Sequence, residues 1–131
     1  MEERRQLGAW AGRCARVLLP IFEAARPGDV RPRDALTALD DWIAGKVNLT
    51  VVRPFILAAH AAARDAIADG QQAAGYAARA AAQAASTVHM SAHAMGPIYY
   101  AGRIGAVAKE QLLTRVSELP PNLQRRVRAS L

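Results

Sequence analysis

The stretch Gln72-Ala73-Ala74-Gly75-Tyr76-Ala77-Ala78-Arg79-Ala80-Ala81-Ala82-Gln83-Ala84-Ala85 holds nine alanines in fourteen residues. Alanine is the strongest helix former and a poor strand former, so this segment reads as a helix. It continues without Gly or Pro through His89 and His93, and the first breaker is Gly96-Pro97. One helix is therefore expected over about Gln72 to Met95. The same bias extends to the whole chain, where 30 of the 131 residues are alanine and aromatics make up only 5%. An all-α fold follows: a single compact domain over residues 1–131, of about five or six helices in a bundle or orthogonal array. Methyl groups at the contacts allow the central helices to approach closely, with bulk supplied from elsewhere.

The bulk sits in the first two helices. Leu7, Trp10, Cys14, Leu18 and Ile21 recur at helical spacing from about Glu2 to Ala25, and Arg26-Pro27-Gly28-Asp29 ends that run. A second helix opens near Arg31-Pro32-Arg33-Asp34, buries Leu36, Leu39 and Ile43, and stops at Gly45. Asn48 or Thr50 caps a third, with Pro54 expected in its first turn and Asp69-Gly70 at its end. After Pro97 a fifth helix is expected from about Ile98 to Glu118. Leu119-Pro120-Pro121-Asn122 then separates a short basic helix from Leu123 to about Ala129.

Charge excludes several functions. The formal net charge is +6, with 17 Lys+Arg against 11 Asp+Glu. The excess lies toward the two ends, around a nearly neutral middle. Basic residues are interspersed with acids and aromatics do not interleave with them, so solvated helix faces are favoured over nucleic acid binding. A single cysteine, Cys14, rules out a disulfide framework. No basic leader precedes an uninterrupted apolar run, and no segment is apolar enough to span a bilayer. A cytoplasmic protein with no membrane association is the expectation.

Few constellations could carry chemistry. On a continuous fourth helix His89 and His93, four residues apart, would project from one face, and His60 with Arg64 lies on the third. Three histidines could ligate a metal, but no His-Glu-x-x-His and no carboxylate at ligand spacing accompanies them. A core, capping or shared polar role is favoured, with no metal and no cofactor. Tyr100 is placed where it could approach the histidines. Asp29, Arg31 and Arg33 flank the first turn, where arginines could pair with Glu23 or Asp29, or meet an acidic partner. Cys14 lies on an apolar stripe and reads as an inert buried thiol. No phosphate loop, nucleophile elbow or paired catalytic carboxylates are present, so the protein is not expected to be an enzyme.

Further residues carry a resemblance. Trp10, Cys14-Ala15 and Phe22-Glu23 are followed by Pro27-x-Asp29-x-Arg31-Pro32-Arg33, then by Trp42 and Gly45. Next come Ala58-Ala59-His60-Ala61-Ala62-Ala63-Arg64 and the segment Ala78 to Ala101, with Gln83, Thr87, His89, His93 and Tyr100. Gln111, Leu119-Pro120 and the basic stretch from Leu123 complete the pattern. In this order they resemble a family of small alanine-rich bacterial immunity proteins linked to toxin–immunity systems. The departures are Val52-Arg53-Pro54 and Glu110, where smaller residues and a tryptophan would be expected. The resemblance implies a helical protein that binds and occludes a cognate protein toxin. The net charge suits a toxin with an acidic surface. The candidate binding residues are then Asp29, Arg31, Arg33, His60, Arg64, His89, His93 and Tyr100. The competing reading is a small-molecule or metal-binding helical protein with a histidine-lined pocket. The alanine-lined helices also leave room for a homodimer.

Overall fold

The computed structural model describes residues 2–131. Seven α-helices, and no strand, occur among the described residues. The first four are α1 (Glu2–Ala25), α2 (Arg31–Ile43), α3 (Leu49–Ala68) and α4 (Gln72–Ala85). They are followed by α5 (Gly96–Ile104), α6 (Ala106–Leu113) and α7 (Pro121–Ala129). Among the described residues no helix is long and apolar enough to cross a membrane.

The alanine-rich helix is the innermost element. α1, α2, α3 and α5 all pack on α4, and its buried residues are eight alanines and Gly75. A helix enclosed on several sides has no face left for large side chains, so small residues are what let four neighbours approach it. At Gly75 a Cβ would overlap the Ile67 side chain, which fixes the close approach of α3 to α4. The outer helices fill the remaining volume with Trp10, Leu18 and Phe22 from α1 and Leu36 and Leu39 from α2, all buried. The Trp10 indole N–H donates to the Arg115 carbonyl at 2.9 Å, tying α1 to the segment after α6.

Helix ends follow local chemistry. The Asn48 side chain accepts from the Thr50 and Val51 N–H groups and starts α3. Gly45, with φ +76°, turns the chain after α2. Because α3 begins at Leu49, Pro54 falls in its second turn and not in the first.

Two expected helices are interrupted. The one over Gln72 to Met95 ends at Ala85 and gives way to 3-10 turns at Ser86–Val88 and Ser91–Met95, with Met90 extended between them. Ser86 bonds back to the Ala82 carbonyl at 2.8 Å, and the β-branched Thr87 and Val88 follow it. Both features weaken helix continuation. The turn is buried against α1, where a Cβ on Gly8 would sit 3.5 Å from Thr87 and the Arg4 guanidinium donates to the Val88 carbonyl at 3.3 Å. The helix expected over Ile98 to Glu118 divides at Gly105, where the backbone is extended, and its last turn is 3-10 at Thr114–Glu118. That division gives seven helices where five or six were expected.

Candidate functional site

Within the alanine core of α4, three half-exposed side chains emerge in one line: Tyr76, Arg79 and Gln83. Their spacing of three and four keeps them on a single face. α3 runs beside this line with Arg53, Leu57, His60 and Arg64, also at helical spacing, on the flank turned toward α4. The opposite flank of α3 carries Asp65 and Asp69, which pair with Arg31 and Arg26. α3 therefore sorts its charges, with acids toward the α1–α2 turn and arginines toward α4. α5 borders the line on its other side with Gly96, Tyr99, Tyr100 and Arg103. A Cβ at Gly96 would overlap the Gln83 side chain, so the absence of one lets α5 start against α4.

The three lines are bonded to one another. Arg79 Nη1 donates to His60 Nδ1 at 2.7 Å, and His93 Nδ1 donates to Gln83 Oε1 at 2.8 Å. Tyr76 stacks on Tyr100 with centroids 6.0 Å apart, and Tyr99 meets Tyr100 edge-on at 4.9 Å. The Arg103 guanidinium lies 5.3 Å from the Tyr76 ring centre and donates to its hydroxyl at 3.2 Å. Tyr99 itself is 59% exposed.

Electrostatics keep this face cationic while its histidines stay neutral. Burial pushes the His60 pKa below its ordinary value, and the nearby Arg79, Arg64 and His93 push it further. Accepting from Arg79 also requires an unprotonated Nδ1. His93 is lowered by burial and by His89. Arg103 is raised by its bond to Tyr76.

The residues expected to bind fall into two groups. His60, Arg64, His93 and Tyr100 come together on the α3–α4–α5 face. Tyr100 stacks on Tyr76. His89 lies beyond the end of α4, so the four-residue helical spacing expected to align it with His93 is lost. Asp29, Arg31 and Arg33 lie apart from this face and are bonded within the chain. Asp29 accepts two bonds from the Arg31 guanidinium, at 2.9 and 2.7 Å, and one from its backbone N–H at 3.2 Å. Arg31 also reaches Asp65 at 3.0 Å, and Arg33 grips both Glu23 oxygens at 2.7 Å. The bond from Arg31 holds the Asp29 carboxyl below the usual range, as Arg33 does for Glu23. The turn is thus a clasp between α1, α2 and α3.

Sequence reasoning passed over Arg53, Tyr76, Arg79, Gln83, Tyr99 and Arg103 as site residues. A signal for the middle three was present, since large polar side chains three and four apart in an alanine helix mark its one open face. Among the described residues no three His, Cys, Asp or Glu side chains are grouped to hold a metal ion. Cys14 is fully buried, and burial pushes its thiol up to about 12. An open groove of about 670 Å³ between α1 and α6, lined by Val17, Val107, Gln111 and Glu118, lies away from this face. Two of the charged groups that line it, Arg115 and Glu118, pair with each other, and Arg13 also reaches Glu118.

No curated protein and no solved structure matches the chain. The family model described as "Imm-5 like putative immunity protein" matches residues 1–125. With all but the last six residues covered, the chain belongs to the Imm-5 like immunity protein family.

Proposed function

We propose that this protein is a binding module that captures a cognate toxin polypeptide and neutralises it by covering its active surface, without catalysing a reaction. One observation carries this reading: Tyr99 stands exposed on a stack of Tyr100 and Tyr76, which Arg103 braces. Tyrosine and arginine are residue types that anchor protein interfaces, tyrosine by offering large contact area at a small entropy cost and arginine by its planar, forked donors. The alanine core beneath them is closely packed, so the cluster is presented in a fixed arrangement and little ordering energy is spent on association.

The test is co-expression with the product of the adjacent gene. That product should arrest growth alone, and the present protein should restore growth and co-purify with it. Tyr99→Ala should weaken the complex by about tenfold or more while leaving the melting temperature unchanged. A neighbouring product that is harmless, or that never associates, overturns the proposal.

A further inference from the structure

We infer that the α3–α4–α5 face reads an acidic surface on its polypeptide partner, through Arg53, Arg64, Arg79 and Arg103. This deepens the proposed function and rests on it for the nature of the partner. The ground is the uneven pairing of arginines. On the rest of the molecule many end on carboxylates, as in Arg16–Asp40 at 2.7 Å, Arg26–Asp69 at 2.8 Å and Arg126–Glu3 at 2.9 Å. None of the four on this face has a carboxylate within ion-pair distance among the described residues.

Their immediate partners are neutral. Arg79 donates to His60 and Arg103 to Tyr76, and neither acceptor removes positive charge. The acids nearest in sequence to Arg64 and Arg79, Asp65 and Asp69, are held on the other flank of α3 by Arg31 and Arg26. Like charges are thereby gathered along one face, with Arg103 against the Tyr76 ring and Arg64 and Arg79 about His60, and no internal anion satisfies them. A guanidinium fork held by one neutral bond keeps its other N–H groups for a carboxylate. The tyrosines supply apolar contact between the charges, which suits side chains carried on a polypeptide surface.

The probe is a synthetic poly-Glu peptide, titrated into isotopically labelled full-length protein. Amide shifts should cluster on residues 53–64 and 76–103. Raising sodium chloride from about 50 to about 300 mM should weaken binding by about tenfold. Arg64→Glu with Arg103→Glu, both exposed, should reduce affinity by about tenfold or more with an unchanged melting temperature. Arg125→Glu with Arg128→Glu on α7 should leave it unaltered. Shifts confined to α7, no binding, or tighter binding of a single-stranded oligonucleotide of equal charge would each overturn the inference. The two readings also separate cleanly. If the peptide maps to this face but the neighbouring gene product does not bind, the toxin partner falls and the acid-reading face stands. If that product binds with affinity indifferent to the paired reversal, the toxin partner stands and this inference falls.

Discussion

A methyl group added at Gly96 would meet the Gln83 side chain near its root, where rotation cannot relieve the overlap. Gly96→Ala should therefore lower stability by about 1–3 kcal/mol in urea unfolding, and it should disturb the Gln83–His93 bond. His60 makes a pH-dependent contribution whose sign follows from its depressed pKa. The folded chain binds this proton less readily than the unfolded one, so the contribution is complete above the ordinary value of 6.5 and is lost as pH falls through the lower folded value. His93 acts in the same direction. Thermal melts from about pH 7.5 downward should show falling stability, with a shallower fall in His60→Gln. Asp29 and Glu23 have lowered pKa values, so their contribution is present above the usual carboxylate range and is lost in a more acidic window. Cys14, held up at about 12 and fully buried, should stay unreactive toward a thiol reagent until the chain unfolds.

Asn48 supplies two bonds to the open N–H groups of α3, and Asn48→Ala should cost about 1 kcal/mol of stability by chemical denaturation. That cap, like the glycine stop after α2 and the Asp29–Arg31 and Glu23–Arg33 pairs, was legible in the sequence, because each depends on residues within about ten positions of one another. The buried stripes of α1 and α2 were legible too, since helical periodicity reports which face is covered. What was not legible depended on packing between distant segments. Ser86-Thr87-Val88 weakens a helix without ending it, and the 3-10 turn is settled by packing against Gly8 and Arg4, about eighty residues away. That stop breaks the helical register between His89 and His93, although the two stay near enough for His89 to lower the His93 pKa. The site was legible only in part for the same reason. His60, Arg64, His93 and Tyr100 were singled out, but the partners that join them into one face, Arg79, Gln83 and Tyr76, lie on the helix they pack against. Gly105 was a local signal for the break, since glycine weakens a helix interior, but the residues on both sides of it read as helix.

The molecule as a whole separates the residues that hold it together from those it displays. Its single buried cluster reaches from Leu7 to Val127 and is built from apolar side chains, mostly alanine around α4. The ion-paired clasp at the α1–α2 turn lies on one side of α3, and the cationic face lies on the other. Arg31→Ala should consequently act on folding, by freeing Asp29 and Asp65 from a shared partner, and should leave partner affinity in the remaining folded protein unchanged; melting curves and calorimetric titration would read the two effects separately. A core lined with methyl groups also has a consequence for how such a protein can acquire new specificities. Beneath the face the buried residues of α4 are all alanine or glycine. Positions 53, 64, 99 and 103 are exposed, so they can be exchanged with little need for compensating changes underneath. A library randomised at those four sites should yield mostly folded members, among which recognition varies and thermal stability hardly does. The plain interior thus leaves the displayed residues free to vary.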